Sequence, residues 1–290
     1  MSSIPALLRG LCDDAALFPP GNAPLPEALI SHARYRASDF ADLVGPLIFP
    51  IPRLDELAAS APGGVAVVLT APGGPSTVAQ ALERAETIVG AQVVGLEIAP
   101  TASDSADEFF ASMAALPIRA ELDTYVEVPR DERRTAFLDR LADSPYAAKF
   151  RTGGVVEAAY PGVLELAESV KAVVDKGIAF KATAGLHHAV RNTDPHTGFE
   201  QHGFLNLLLA TRLAAEQADL TAIEAALADR AGSSVAAALA DLTESAAETL
   251  RAAFRSFGTC SIDDPRTDLV DLNLLPAALR PATTSEGSPA

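Results

Sequence analysis

The chain has 290 residues, 49% hydrophobic and 21% charged, with a formal net charge of −16. That length fits one large α/β domain or two small ones and supplies ample apolar material for a core. The acidic balance argues against nucleic acid or an anionic membrane as partner, while leaving room for a local basic pocket that takes an anionic small molecule.

Two cysteines, Cys12 and Cys260, are too few for a disulfide framework or a cysteine-based zinc site and fit a reducing compartment. The first residues, MSSIPALLRGLCDDAALF, hold no basic region followed by a long apolar run. No apolar stretch reaches the ~18 residues a membrane span needs. The expectation is a cytoplasmic protein.

In chain order, residues 4–11 read as a short capping helix. DDAALFPPG follows as a short first strand, closed by Pro19, Pro20 and Gly21. A helix over 25–37 tolerates Pro26 in its first turn. Strand 45–51 and a helix stopping before Pro62 come next. The continuous apolar run GVAVVLTA (64–71) has the pattern of a strand buried on both faces. Helix 75–89, with Ser76 as its cap, then strand 93–99, helix 105–116 and strand 118–129 continue the alternation. Helix 130–144, strand 146–153, helix 160–177 ending at Gly177, and strand 178–185 complete it.

The rhythm then changes to a helix over 198–218 and two Ala-rich helical patterns near 220–230 and 233–254. Strand 254–262 and a short final helix follow, and the Pro/Thr/Ser/Gly-rich tail from 276 is expected to be disordered. Eight strand–helix units imply a parallel sheet with right-handed crossovers, closed into a (β/α)8 TIM barrel. The expected layout is one domain over 1–275, with a helical insertion at about 198–253 between the last two strands. Were DDAALF not a strand, the sheet would stay open and doubly wound. No GxGxxG follows an early strand, so no dinucleotide site is expected, nor any other cofactor.

The lysines are the informative residues. There are four against eighteen arginines, and two of the four, Lys149 and Lys181, sit mid-strand. Lysine can shed its proton and act as a nucleophile, which arginine effectively cannot. Side chains alternate along a strand. If Phe150 and Phe180 face the helices, Lys149, Lys181, Arg151 and Thr183 face the barrel interior. The same parity turns Glu97, Glu121, Asp123, Tyr125 and Glu127 inward. A structural reading is a buried ion-pair network that only fills the barrel, but such networks are costly to desolvate. Two ammonium groups at close range would favour a neutral lysine, able to attack a carbonyl and form a Schiff base with a carboxylate moving protons.

KFRTGG from 149 and KATAG from 181 resemble the lysine-bearing sixth and seventh strands of deoxyribose-phosphate aldolase and its class I relatives. In that family a lysine precedes Thr-Gly by three residues, and Lys-Ala-Ser-Gly-Gly lies on the next strand. FGTCS at 257–261 is similar to its small-residue eighth strand, and VVGLEIAP to its fourth, with Glu97 in place of an aspartate. The resemblance implies that Lys149 is the Schiff-base nucleophile, Lys181 its modulator and Glu97 a proton shuttle, with no metal. It covers four strand ends. Arg151 stands where the family has a small residue, Leu186-His187-His188 stands where it has a glycine loop for phosphate, and about seventy residues separate the last two strands.

The substrate is expected to be a small carbonyl or sugar-derived molecule. Its contacts would be Glu127, Arg151, Thr152, Gly153, Gly154, Thr183, His187, His188 and Ser261. Arg151 and the two glycines could hold an anion through a guanidinium and backbone N–H groups. A second reading is a metal-dependent hydrolase or isomerase, with His187 and His188 joined by Glu127, Asp263 or Asp264. A third is a non-catalytic barrel that binds an anionic metabolite. Asp13 and Asp14 would cap the first strand or reach the site. His196 and His202 flank a polar loop suited to a lid. The Ala-rich helices either cover the barrel mouth or pair copies into a homo-oligomer.

Overall fold

A computed structural model describes residues 4–61 and 63–282. The strands in chain order are β1 (Cys12–Asp14), β2 (Val44–Pro50), β3 (Val65–Ala71), β4 (Ala91–Ile98), β5 (Asp123–Glu127), β6 (Ala147–Arg151), β7 (Phe180–Thr183), β8 (Asn192–Thr193), β9 (Glu200–Gln201) and β10 (Phe254–Thr259). Eight of them close a barrel in the order β1, β10, β7, β6, β5, β4, β3, β2. All its neighbours are parallel. The TIM barrel is therefore the fold, and its three-residue first strand is real: Cys12 pairs with Phe257 on one side and Val44 on the other.

The connecting helices are α1 (Leu25–Arg36), α2 (Leu54–Ala59), α3 (Val78–Glu86), α4 (Ala106–Ala114), α5 (Arg134–Ala142), α6 (Val163–Asp175), α7 (Phe204–Ala215), α8 (Leu220–Ala228), α9 (Gly232–Ala240), α10 (Glu244–Ala253) and α11 (Asp263–Asp271). Their apolar stripes face the barrel wall. On α3, Val78, Ala81, Leu82 and Ala85 are buried at helical spacing. Ser105 and Glu108 form a reciprocal capping box that fixes the start of α4. The expected Ser76 cap does not form. Pro75–Thr77 is a single 3-10 turn, and α3 begins after it.

Between β7 and β10 the single crossover helix is replaced by α7–α10, preceded by the antiparallel ribbon β8–β9. Helices α7 and α8 pack beside α6, and α10 packs on the 3-10 turn Ala6–Leu8 at the N-terminal base of the barrel. The ribbon occupies the expected lid. Its His202 is fully buried, with Nε2 bonded to the Pro161 carbonyl at 2.8 Å. Tyr160 and Phe199 pack ring to ring 5.7 Å apart, tying the β6–α6 loop to the ribbon. The tail does not lose order at 276: Ala277–Leu279 forms a 3-10 turn with Leu279 buried. Residues 283–290 of the expected disordered tail lie outside the described residues.

One large apolar core lies between the strands and the helices. A separate small cluster of Ala15, Ile48 and Val68, with Phe18 and Val94 against it, fills the interior beside β1–β4. The rest of the interior is polar, and that asymmetry positions the site.

Candidate active site

Strand pairing sets the site. Lys149 on β6 is the register partner of Lys181 on β7 and of Glu127 on β5. Phe150 and Phe180 pack together in the outer core, so alternation turns both lysines inward, as expected. Glu97 on β4 reaches the middle of the barrel and touches both. Its Oε2 lies 2.8 Å from Lys149 Nζ and its Oε1 lies 2.7 Å from Lys181 Nζ. Lys149 Nζ is also 3.0 Å from Glu127 Oε2. Arg151 donates to Glu127 Oε1 at 3.2 Å. On the other side, Lys181 Nζ donates to Asp13 Oδ2 at 2.5 Å, and Ser256 Oγ donates to the same oxygen at 2.6 Å.

The result is one continuous chain across the barrel. It runs Arg151, Glu127, Lys149, Glu97, Lys181, Asp13, Ser256. Three cations face three carboxylates, so the cluster is neutral as a whole, which is what makes its burial tolerable. Arg151 is exposed, Glu127 half-buried, and Lys149 and everything beyond it buried, so the chain descends from the mouth toward the base. Gly45 on β2 makes room for Asp13: a Cβ there would lie 2.1 Å from Asp13 Oδ1.

The electrostatics correct one expectation. The two ammonium groups do not drive each other toward neutrality, because carboxylates stand between them. Burial pushes Lys149 down, but the Glu97 and Glu127 charges outweigh it and raise its pKa. Burial likewise opposes the Lys181 charge, and Asp13 and Glu97 outweigh it, again raising the pKa. Burial would raise Glu97, yet the two ammonium groups hold it down at about 2. At Asp13 burial dominates, and Lys181 and Ser256 only partly offset it, so its carboxyl is raised and is the readier proton acceptor of the two. A neutral Lys149 therefore requires a proton to move, not a pre-lowered pKa.

The other expected contacts divide into two groups. The Thr152 hydroxyl is spent on β7, donating to the Ala184 carbonyl at 2.7 Å and the Thr183 carbonyl at 3.2 Å. Gly153 lies against Gly185, where an added Cβ would come within 2.8 Å of the Gly185 Cα, and Tyr160 covers both. Gly154 lies against the Ala159 methyl. The Thr-Gly and Ala-Gly signatures thus join the two lysine strands at their mouth ends. The join holds Ala184 in the left-handed region at φ 67, a sparsely occupied conformation for a residue with a Cβ. Thr183 faces Gly258 across the β7–β10 pair.

His187, His188 and Ser261 lie in a separate patch by β10. His187 Nδ1 is 3.7 Å from Cys260 Sγ, and burial holds its pKa below the usual histidine value. His188 is bonded at Nδ1 to Asp268 Oδ2, 3.2 Å away, and that contact raises its pKa. Ser261 Oγ accepts from the Asp264 N–H at the start of α11. The two histidines address different partners, and among the described residues no three His, Cys, Asp or Glu side chains are arranged to hold a metal ion.

Glu121 lies before β5, exposed and outside the inner column, while Asp123, the first residue of β5, keeps the inward parity but ends exposed at the base. Asp13, expected to cap the first strand or reach the site, does reach it, and Ser256 is the site residue that sequence reasoning did not single out. Asp13 was legible from its parity with Ala15. Ser256 was not, because the β10–β7 register shifts between Phe254 and Phe257 and breaks the alternation.

No protein-family model matches the chain, and no curated protein is similar to it. Among solved structures, a monomeric dihydrodipicolinate synthase variant is similar at 13% identity and a TM-score of 0.38, over 76% of this chain and 79% of that one. At that level neither activity nor substrate transfers to this chain. No helix among the described residues is long and apolar enough to cross a membrane.

Proposed function

We propose that the protein is a class I aldolase-like lyase that acts on a small carbonyl or sugar-derived substrate through a Schiff base on Lys149. The observation that carries this reading is the placement of Lys149 between two carboxylates, Glu97 at 2.8 Å and Glu127 at 3.0 Å, below the barrel mouth. In such barrels sites lie at the C-terminal ends of the strands. Lys149 must lose one proton to become an amine; Glu97 or Glu127 receives it. The amine nitrogen then attacks the substrate carbonyl carbon, and the oxygen departs as water after taking up protons. The resulting iminium accepts the electron pair of the adjacent C–C bond as that bond breaks. Lys181 keeps Glu97 ionised until the proton moves, and Asp13 holds Lys181 in place.

Arg151, exposed beside Glu127, is the cation available to an anionic group on the substrate. Thr152, Gly153 and Gly154 support the site from behind, and His187, His188 and Ser261 would contact only the part of a substrate that extends toward β10. Incubation with small aldehydes, ketones and sugar phosphates, followed by borohydride reduction and intact-mass measurement, tests the reading. A reduced adduct that disappears in Lys149→Met supports it. Ligand-induced thermal stabilisation with neither adduct nor turnover would replace it with a binding barrel.

A further inference from the structure

The polar chain does not stop at Lys181. A cavity of about 330 Å³ opens at the N-terminal end of the barrel, with Asp13, Tyr125, Lys181 and Ser256 on its inner wall. Asp123 and Arg255 form its rim, and both are exposed, so the cavity meets solvent at the base. A liquid water claims ~30 Å³, and water needs a few polar partners to settle in a cavity. The space takes several waters and the wall supplies the partners. Lys149 is not part of this wall.

The two arginines at the base already have backbone partners. Arg251 donates to the carbonyls of Leu7, Arg9, Gly10, Phe254 and Arg255, and Arg255 Nε donates to the Ala252 carbonyl. Glu97 Oε1, fully buried 2.7 Å from Lys181 Nζ, has no second partner among the described residues, leaving a lone pair for a moving proton.

We propose that this cavity is a water-filled proton port, through which the chain Lys149, Glu97, Lys181, Asp13, Ser256 exchanges protons with solvent at the end of the barrel opposite the substrate entrance. Lys181 passes one proton to Asp13 Oδ2 and is reprotonated from Glu97, which has taken a proton from Lys149. Once Asp13 is protonated, the Ser256 hydroxyl, which donates to Asp13 Oδ2 in the resting chain, turns its O–H to a cavity water, so that Oγ accepts the Asp13 proton and gives up its own. The sum is a neutral Lys149 amine and one proton in solvent. Only N–H and O–H bonds change, and nothing is oxidised or reduced. A bound substrate at the mouth does not obstruct this route.

The inference rests on Lys149 as the amine that must shed a proton, but its test needs no turnover. With four lysines in the chain, Nζ-labelled lysine NMR can follow each ammonium group's proton exchange with water. Val94→Phe fills the cavity from its apolar wall and slows Lys181 exchange by about tenfold or more. Ser256→Ala removes the last link and slows it in the same direction. Lys171 and Lys176, paired with Asp175 and Asp139 on the surface, stay unchanged as references.

Unchanged Lys181 exchange in both variants overturns the port. So does slowing by Arg151→Trp at the mouth with no effect of either base variant. If Val94→Phe does not fold, Val94→Met, which fills the same wall with a flexible side chain, takes its place. Slowed exchange without a borohydride adduct keeps the port and removes the Schiff-base reading; an adduct with unchanged exchange does the reverse.

Discussion

Glu97→Gln isolates the charge that holds the site together. The substitution keeps the shape and removes one of three negative charges from a buried, neutral cluster. Removing one partner of a buried ion pair costs about 3–5 kcal/mol, because the other charge is left uncompensated. The chain has one escape, which is to fold with one lysine neutral. Lysine's ordinary pKa is 10.5, and each pH unit below it costs about 1.4 kcal/mol, so the escape caps the loss near 5 kcal/mol at pH 7.

The same arithmetic fixes a slope. The wild-type lysines have raised pKa values, so their contribution is fully present below 10.5 and is lost only as pH rises through the folded value. The variant keeps its lysine charged until neutralising it costs less than the lost contact, at about pH 7 for a loss of about 5 kcal/mol and about pH 8.3 for about 3 kcal/mol, and above that point it gains stability with pH up to about 10.5. The difference between the two proteins should therefore shrink by about 1.4 kcal/mol per unit between about pH 8.5 and 9.5. Urea unfolding at three or four pH values measures it. A loss that does not change with pH, or one below about 1 kcal/mol at pH 7, would refute the buried neutral cluster.

Three further outcomes follow from other contacts. Burial holds the His202 imidazole down at about 4, the Pro161 carbonyl only partly offsetting it. The unfolded chain takes that proton near 6.5, so the stability is complete above 6.5 and is lost as pH falls toward 4, by about 3 kcal/mol in all. His202→Gln should flatten this acid limb in urea titrations; an unchanged limb assigns it elsewhere. Gly45→Ala forces Asp13 away from Lys181 and should cost about 1–3 kcal/mol in thermal melts, whereas Gly63→Ala, with nothing within 4 Å of the new methyl, should cost far less. Equal losses would contradict the packing of Asp13 against Gly45. Thr152→Val removes the hydroxyl that joins β6 to β7 and should cost about 1–2 kcal/mol, measurable in urea; no loss would return Thr152 to the substrate side.

The fold was legible because strand and helix alternation survives in the apolar runs. VAVVLTA could only be a strand buried on both faces, and the parity of Phe150 and Phe180 turned Lys149 and Lys181 inward without any structure. What alternation could not carry was the register of short strands. Ser256 follows a register shift, so counting from Phe254 does not turn it inward. Nor could it show that Glu97 sits between the lysines, because that contact spans strands that are not neighbours. The error about lysine pKa had the same origin: two cations were counted before their counter-charges were placed. The Thr-Gly and Ala-Gly strings mark the mouth ends of β6 and β7, but a motif does not say whether a hydroxyl faces a substrate or a neighbouring carbonyl.

The proposed Schiff-base chemistry requires Lys149 to bond covalently to a carbonyl carbon. Peptide mapping of the borohydride-reduced protein tests it most directly, since the chain's four lysines give few places for an adduct to fall. One stoichiometric adduct is expected on the peptide carrying Lys149, absent after Lys149→Met. Adducts on exposed Lys171 and Lys176 alone, unaffected by Lys149→Met, would contradict it.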